Sequence, residues 1–466
     1  MIKYKQEFFS SARRQNKEAT MENFVTTQTH CGDIRGIHCD GYRKYLGVRY
    51  ATAQRFTYAT PVTKWDGIYD ATHYGNVCPQ NRTFYEHLEI PERLFYHNEF
   101  RQDQVFHYDE DCLNLNIFSP DGTGPFPVLV FIHGGGFDSG ANYDSAIDGA
   151  AYAKRGIVFV SIHYRVSIFG YFTHPDIQRA YGHDGNFGLD DQFTALRWIK
   201  ENIADYQGDA NNITVMGQSA GAISIQYLSL SPKCDGLYQR AIMLSGGGMF
   251  PKFALPRASA NTHAYWADFM QTAGVTDLES LKKLDTHAIF TAIEELKSRR
   301  KDNTYNTMPV VDGYLISAPV DTLISHPLPI DYMLGYTNND MYAIIMGYIT
   351  HKYARENHAY LYYFDIDAPG SDHNGAFHSC DLRYVFGTLQ KSHRPYDQED
   401  TLVSDMMIRY ISSFVKNGDP NQPSLPQWNK AGHQALHIQK PARCITMGSA
   451  NWLKLLYNTL TKGDPK

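Results

Sequence analysis

The sequence predicts an α/β fold with a central, mostly parallel, twisted sheet and helices on both faces. Three observations predict it. Strongly apolar runs, such as VLVFI at 128–132 and IVFVSI at 157–162, are short and bounded by turn residues, the pattern of strands buried on both faces. Segments with helical periodicity lie between these runs. One run, ITVM at 213–216, passes through a glycine straight into a helical pattern, the strand–turn–helix step from which right-handed βαβ units are built.

The elements follow in order. Residues 25–35 and 45–50 read as short strands near the start, and 113–118 as another. The run 128–132 stops at three successive glycines, and 157–162 follows an alanine-rich helical stretch. Within 189–203, Leu189, Phe193, Leu196 and Ile203 are spaced to share one helix face. Residues 213–216 form the next strand and 220–230 a helix stopped by Pro232. Residues 241–244 precede a second glycine cluster. The stretch 254–300 is charged, helical in character and poor in strand signals, as expected of a reduced helical cap beside the sheet. YLYYFDI at 360–366 is a late strand.

The length of 466 residues would allow roughly three domains on the ordinary prior. With no repeat and no low-complexity linker, one domain over 21–466, with the helical excursion, is preferred. Residues 1–20 are polar and are expected to form a disordered N-terminal extension. They contain no apolar leader, and no apolar run reaches membrane-span length, so a cytoplasmic location with reduced thiols is expected. The net charge of -6, from 43 basic and 49 acidic residues, offers no basic stripe for nucleic acid. The seven cysteines contain no CxxC, and neither a metal-ligand spacing nor a GxGxxG after a strand appears. No metal or cofactor is therefore expected, and the oligomeric state cannot be read.

Two motifs carry chemistry. Gly217-Gln218-Ser219-Ala220-Gly221 is a G-x-S-x-G between a strand and a helix, the context of a nucleophile elbow. There a serine is exposed on a strained turn, with a helix N-terminus behind it to favour negative charge. His133-Gly134-Gly135-Gly136-Phe137 follows VLVFI. Its glycines leave backbone N–H groups unshielded, as donors to an oxyanion require. His133 itself is expected to be a structural loop residue.

The chain resembles the type-B carboxylesterase family of α/β-hydrolases, which includes cholinesterases and bacterial para-nitrobenzyl esterases. The resemblance rests on YLGVRYA at 45–51, EDCLNLN at 110–116, the HGGGF, NFGLDDQ at 186–192, the serine elbow, and GDPN at 418–421 with Trp428. It implies an α/β-hydrolase fold and a Ser–acid–His triad in that chain order. The implied nucleophile is Ser219. The implied acid is Asp340, in GYTNNDM at 335–341, standing where the family commonly has Glu, with Asp331 or Asp312 as alternatives. The implied histidine is His378, in GAFHSCDLRYVFG at 375–387; His373 lies outside that motif. The resemblance further implies oxyanion donors at the N–H groups of Gly135, Gly136 and Ala220. It makes Ser245 a partner of the acid, the alternative being a turn serine bonded to its own backbone. Cys78 and Cys112 match positions that the family often bridges; here they are expected to be neighbours but reduced.

Two departures stand out. Gln218 replaces the Glu that often precedes the nucleophile. The stretch between acid and histidine is short, which suggests an open site. The implied activity is hydrolysis of small to medium apolar or aromatic carboxylic esters, with a feruloyl-type aromatic esterase as a narrower alternative. A non-catalytic, adhesion-type relative is the rival from another class; such relatives usually lack a triad member, and all three positions are filled here.

Overall fold

The computed structural model describes residues 23–81, 91–248, 256–300, 306–431, 434–440, 443–446 and 449–461. The extension expected over 1–20 lies outside the described residues. In chain order the principal elements begin with β1 (Asn23–Thr29), β2 (Gly32–Cys39), β3 (Tyr42–Arg49), α1 (Pro91–Phe100), β4 (Asn114–Pro120), β5 (Phe126–Ile132) and β6 (Val158–Ile162). Then come α2 (Phe187–Asn202), β7 (Gly208–Gln218), α3 (Ala220–Ser229), β8 (Arg240–Leu244), α4 (His263–Thr272) and α5 (Thr286–Arg299). The last third contains β9 (Asp331–Thr337), α6 (Ala343–Glu356), β10 (Tyr360–Phe364), α7 (Gln398–Asn417), β11 (Gln434–Ile438), β12 (Arg443–Thr446) and α8 (Ser449–Thr461).

Among the described residues one sheet has 13 strands, in the order β1-β2-β3-β4-β6-β5-β7-β8-β9-β10-β11-β12, with Ile68–Asp70 alongside β2. From β6 to β11 every neighbouring pair is parallel. The antiparallel pairings lie toward the two edges. Alternation along the strands sends one set of side chains to each face. Val128, Val130, Val160, Val215 and Met243 join the apolar cluster on one side. Leu129, Phe131, Phe159, Met216 and Ile242 join the cluster on the other. Both sets are sealed from water, which is why these strands read as continuous apolar runs. Each such burial is worth about 1.5–3 kcal/mol.

Helices cover both faces. Leu189, Leu196 and Ile199 of α2 and Ile223 of α3 pack in the first cluster, and Met407, Ile411 and Phe414 of α7 in the second. Over its described residues, 256–300, the excursion is mainly helical, as its composition predicts. Its α4 and α5 send Trp266, Phe269, Phe290 and Ile293 into the same cluster as α2 and α3, so it extends the core.

The structure departs from the sequence reading in two places. Residues 25–35 are not one strand: the chain reverses between Thr29 and Gly32, and β1 folds back antiparallel on β2. β1 is an exposed edge strand, so it carries no apolar run to mark its end. β11 and β12 escape the sequence reading because both are short and lie toward the far edge. The short stretch between Asp340 and His378 holds the 14-residue helix α6, and both side chains it separates are buried.

Candidate active site

The parallel register lines up the carboxyl ends of β5, β7, β8 and β9. Gly217 is level with Ile132 and Met243, and Leu244 is level with both Gln218 and Gly335. The residues that follow each strand therefore meet along one edge of the sheet, where open parallel sheets place their ligands. Backbone bonds fasten these loops to one another. The Ser219 N–H donates to Leu244 O at 2.9 Å, Ser245 N–H to Gly335 O at 2.8 Å, and Asn339 N–H to Ala376 O at 2.9 Å. The last bond seats the segment carrying His378 beside the loop carrying Asp340.

Ser219 has φ 54° and ψ −124°, a conformation an L-residue adopts only where its surroundings enforce it. The tight passage behind it requires glycine: a Cβ at Gly221 would lie 2.1 Å from Ile132 O. The loop at 133–137 is equally fixed. Asp138 and Ser139 N–H groups donate to Gly135 O, and Ser167 N–H donates to Phe137 O at 2.7 Å. His133 stacks on Tyr164 with ring centroids 4.4 Å apart. Burial lowers its pKa to about 4, so it is a neutral wedge within the loop.

His378 Nδ1 bonds Asp340 Oδ1 at 2.6 Å. Asp340 also accepts the Met341 N–H at 2.9 Å and, through Oδ2, the Thr337 N–H at 3.1 Å. Burial alone would raise the Asp340 pKa, but the His378 charge and hydrogen bond outweigh it and hold the carboxyl below the usual range. Burial alone would lower the His378 pKa, but Asp340, with Asp381 adding to it, pushes it up. Ser245 stands beside Asp340 and helps keep it ionised; its buried hydroxyl nevertheless makes no hydrogen bond of standard geometry.

The Gln218 amide nitrogen lies 3.2 Å from His378 Nε2 and donates to Ser379 Oγ at 2.7 Å. With Nδ1–H directed at Asp340, the histidine is the tautomer whose Nε2 accepts. Gln218, not the Ser219 hydroxyl, occupies that lone pair here. Ser219, His378, Gly135, Gly136 and Ala220 all line one cavity of about 360 Å³. Tyr96 and Phe100 of α1, Phe131, Phe137, Ile147 and Leu382 supply apolar wall.

The carboxylesterase family model matches residues 22–351 and 345–451. The chain belongs to the carboxylesterase family. It is 28% identical to the para-nitrobenzyl esterase of Bacillus subtilis (strain 168), over 85% of this chain and 90% of that one. It is 31% identical to mouse neuroligin-3, over 90% of this chain and 64% of the other. Its fold matches the solved structure of a thermophilic PNB esterase with a TM-score of 0.79 at 25% identity, covering 92% of this chain and 99% of that one.

In this carboxylesterase-family chain the alternative acids go elsewhere. Asp312 binds the Asn186 side chain and the Tyr314 and Ile316 N–H groups, and Asp331 opens β9 at the end opposite Thr337. Other motifs of the resemblance are structural. Asp191 of NFGLDDQ forms a buried two-pronged pair with Arg165 at 2.7 and 2.8 Å. Gly418 ends α7 with φ 76°, and Asn421 exchanges two hydrogen bonds with the Trp428 backbone. Cys78 and Cys112 are both buried free thiols; burial and contact with Cys78 push the Cys112 thiol well up. Among the described residues no helix is long and apolar enough to cross a membrane, and no group of three or more acidic, His or Cys side chains could hold a metal ion.

Sequence reasoning missed the cavity wall from α1, although Tyr96 and Phe100 stand at helical spacing. It also missed Tyr362 and Asp381, which meet behind His378 with an oxygen–oxygen distance of 2.6 Å.

Proposed function

We propose that this chain is a serine carboxylesterase that hydrolyses small to medium apolar or aromatic carboxylic esters through an acyl-enzyme. The observation that carries the reading is the buried 2.6 Å bond between Asp340 and His378, in a cavity shared with a serine on a strand–helix elbow. In the proposed reaction His378 Nε2 releases the Gln218 amide and takes the proton of Ser219 Oγ as that oxygen attacks the ester carbonyl. Asp340 stabilises the resulting imidazolium. The N–H groups of Gly135, Gly136 and Ala220 donate to the oxyanion, and a single such donor is worth about 3 kcal/mol. The alcohol leaves with the proton from His378. Water then attacks the acyl-enzyme with His378 again as base, releasing the carboxylic acid and restoring Ser219. No cofactor enters, and the partner is the small-molecule ester.

Aromatic lining in the cavity supports the feruloyl-type alternative as a subset of this substrate class. An acyl-chain series on p-nitrophenyl esters, with hydroxycinnamate esters included, separates the two. Ser219→Ala should lower kcat on p-nitrophenyl butyrate by about a million-fold while the circular dichroism spectrum stays unchanged. A folded mutant with near-wild-type turnover would refute the assignment.

A further inference from the structure

Behind the His378–Asp340 pair lies a second carboxylate that the proposed chemistry does not use. Asp381 is fully buried. One of its oxygens accepts the Tyr362 hydroxyl at 2.6 Å, and the other has no hydrogen-bond partner. Among the described residues no Lys or Arg pairs with it. It occupies the cap position of the helix Leu382–Phe386, yet its side chain makes no capping hydrogen bond. Burial raises its pKa to about 6, the Tyr362 bond opposing and the Asp340 charge adding to that rise. A carboxylate so placed is costly to ionise.

The groups facing it are few. Tyr362 comes from β10, Asp340 from the loop after β9, and His378 and Cys380 from its own segment. Glu99 and Arg394 stand beside Cys380 and are paired with one another at 2.7 Å. The Asp381 charge is therefore not neutralised by a cation, and its field reaches His378, where it favours the protonated ring.

We infer that Asp381 is a positioning residue for the proposed reaction: anchored by the Tyr362 hydroxyl, it supplies a second buried negative charge that, with Asp340, stabilises the His378 imidazolium between the two proton transfers. This role presupposes His378 as the general base. An acid whose pKa is higher in the folded than in the unfolded chain loses stability as pH rises between the two values, and the loss is complete above the folded one.

The test is Asp381→Asn, which preserves shape and removes the charge. The acidic limb of kcat/KM should move to lower pH by about half to one unit, because the imidazolium loses a stabilising neighbour. The melting temperature of Asp381→Asn relative to wild type should rise from about pH 4 to about pH 8, whatever its starting offset. Tyr362→Phe, which keeps the carboxylate but removes its donor, should move the limb the same way by less, and it decides the matter if Asp381→Asn does not fold. A limb that stays in place or moves to higher pH, or a relative melting temperature that is flat or falls with pH, overturns the inference. Loss of turnover in Ser219→Ala alongside an unmoved limb in Asp381→Asn would sink this role alone. Retained turnover in Ser219→Ala would instead sink the proposed function.

Discussion

Gln218 touches the one atom that the proposed reaction needs most. Its amide meets His378 Nε2 at 3.2 Å, and it is buried, so a charge placed there would be poorly screened. Gln218→Glu should raise the His378 pKa, because a carboxylate beside Nε2 favours the imidazolium. The histidine must be neutral to act as base, so the acidic limb of kcat/KM should move to higher pH, by about one unit or more. Gln218→Ala, which adds no charge, should move it far less. A limb that stays in place in the Glu variant would mean that residue 218 does not sense His378. Glu at 218 and Asn at 381 thus displace one limb in opposite directions. At this scale Ser219 stood out through its strand–turn–helix context, whereas Asp340 and His378 were singled out only through the resemblance to the family. Gln218 was legible as a departure from the family's pattern. Tyr362 was not, since a tyrosine inside YLYYF gives no sign of which ring turns toward a carboxylate 19 positions later.

An arginine also fastens the segment that carries His378. Arg394 Nε donates to Glu99 of α1 at 2.8 Å. Its other nitrogens reach Pro369 O at 3.0 Å and both oxygens of Asp372 at 3.0 and 2.7 Å, and its guanidinium lies over the Phe377 ring at 5.3 Å. This side chain ties a helix lining the cavity to the segment that ends at His378. Arg394 and Glu99 are both nearly inaccessible, so removing Arg394 leaves the buried Glu99 carboxylate beside His393 at 3.6 Å, a cation only when protonated. Arg394→Ala should cost about 3–5 kcal/mol in urea unfolding, with a fall in kcat. A loss below about 1 kcal/mol, the worth of a surface pair, would contradict the assignment. None of these partners adjoins another in sequence, and no local pattern announces a network closed by tertiary contact. The same reason separates the strands that were readable from those that were not. β5 and β6 are buried on both faces and carry strongly apolar runs. β1 is exposed at the edge, and its turn is set by pairing with β2.

At the scale of the whole molecule, the two apolar clusters on either side of the parallel sheet fix the edge where the loops meet. One register places Ser219, Ser245 and the approach to Asp340 level with one another. The fold class was legible because that arrangement demands buried apolar strands alternating with helices that pack on them, a pattern written in hydrophobicity. The cavity was not, because its wall comes from α1, the 131–147 region and the helix Leu382–Phe386, which only the assembled chain brings together. In the proposed reaction this assembly makes Ser219 the nucleophile. The most direct measurement is to react the full chain with diethyl p-nitrophenyl phosphate, quantify the p-nitrophenol released, and map the adduct by peptide mass spectrometry. Release should equal the enzyme present, esterase activity should fall in step with it, and the phosphoryl group should be found on Ser219. An adduct on another residue that tracks the loss of activity, or full labelling of Ser219 with turnover intact, would contradict it.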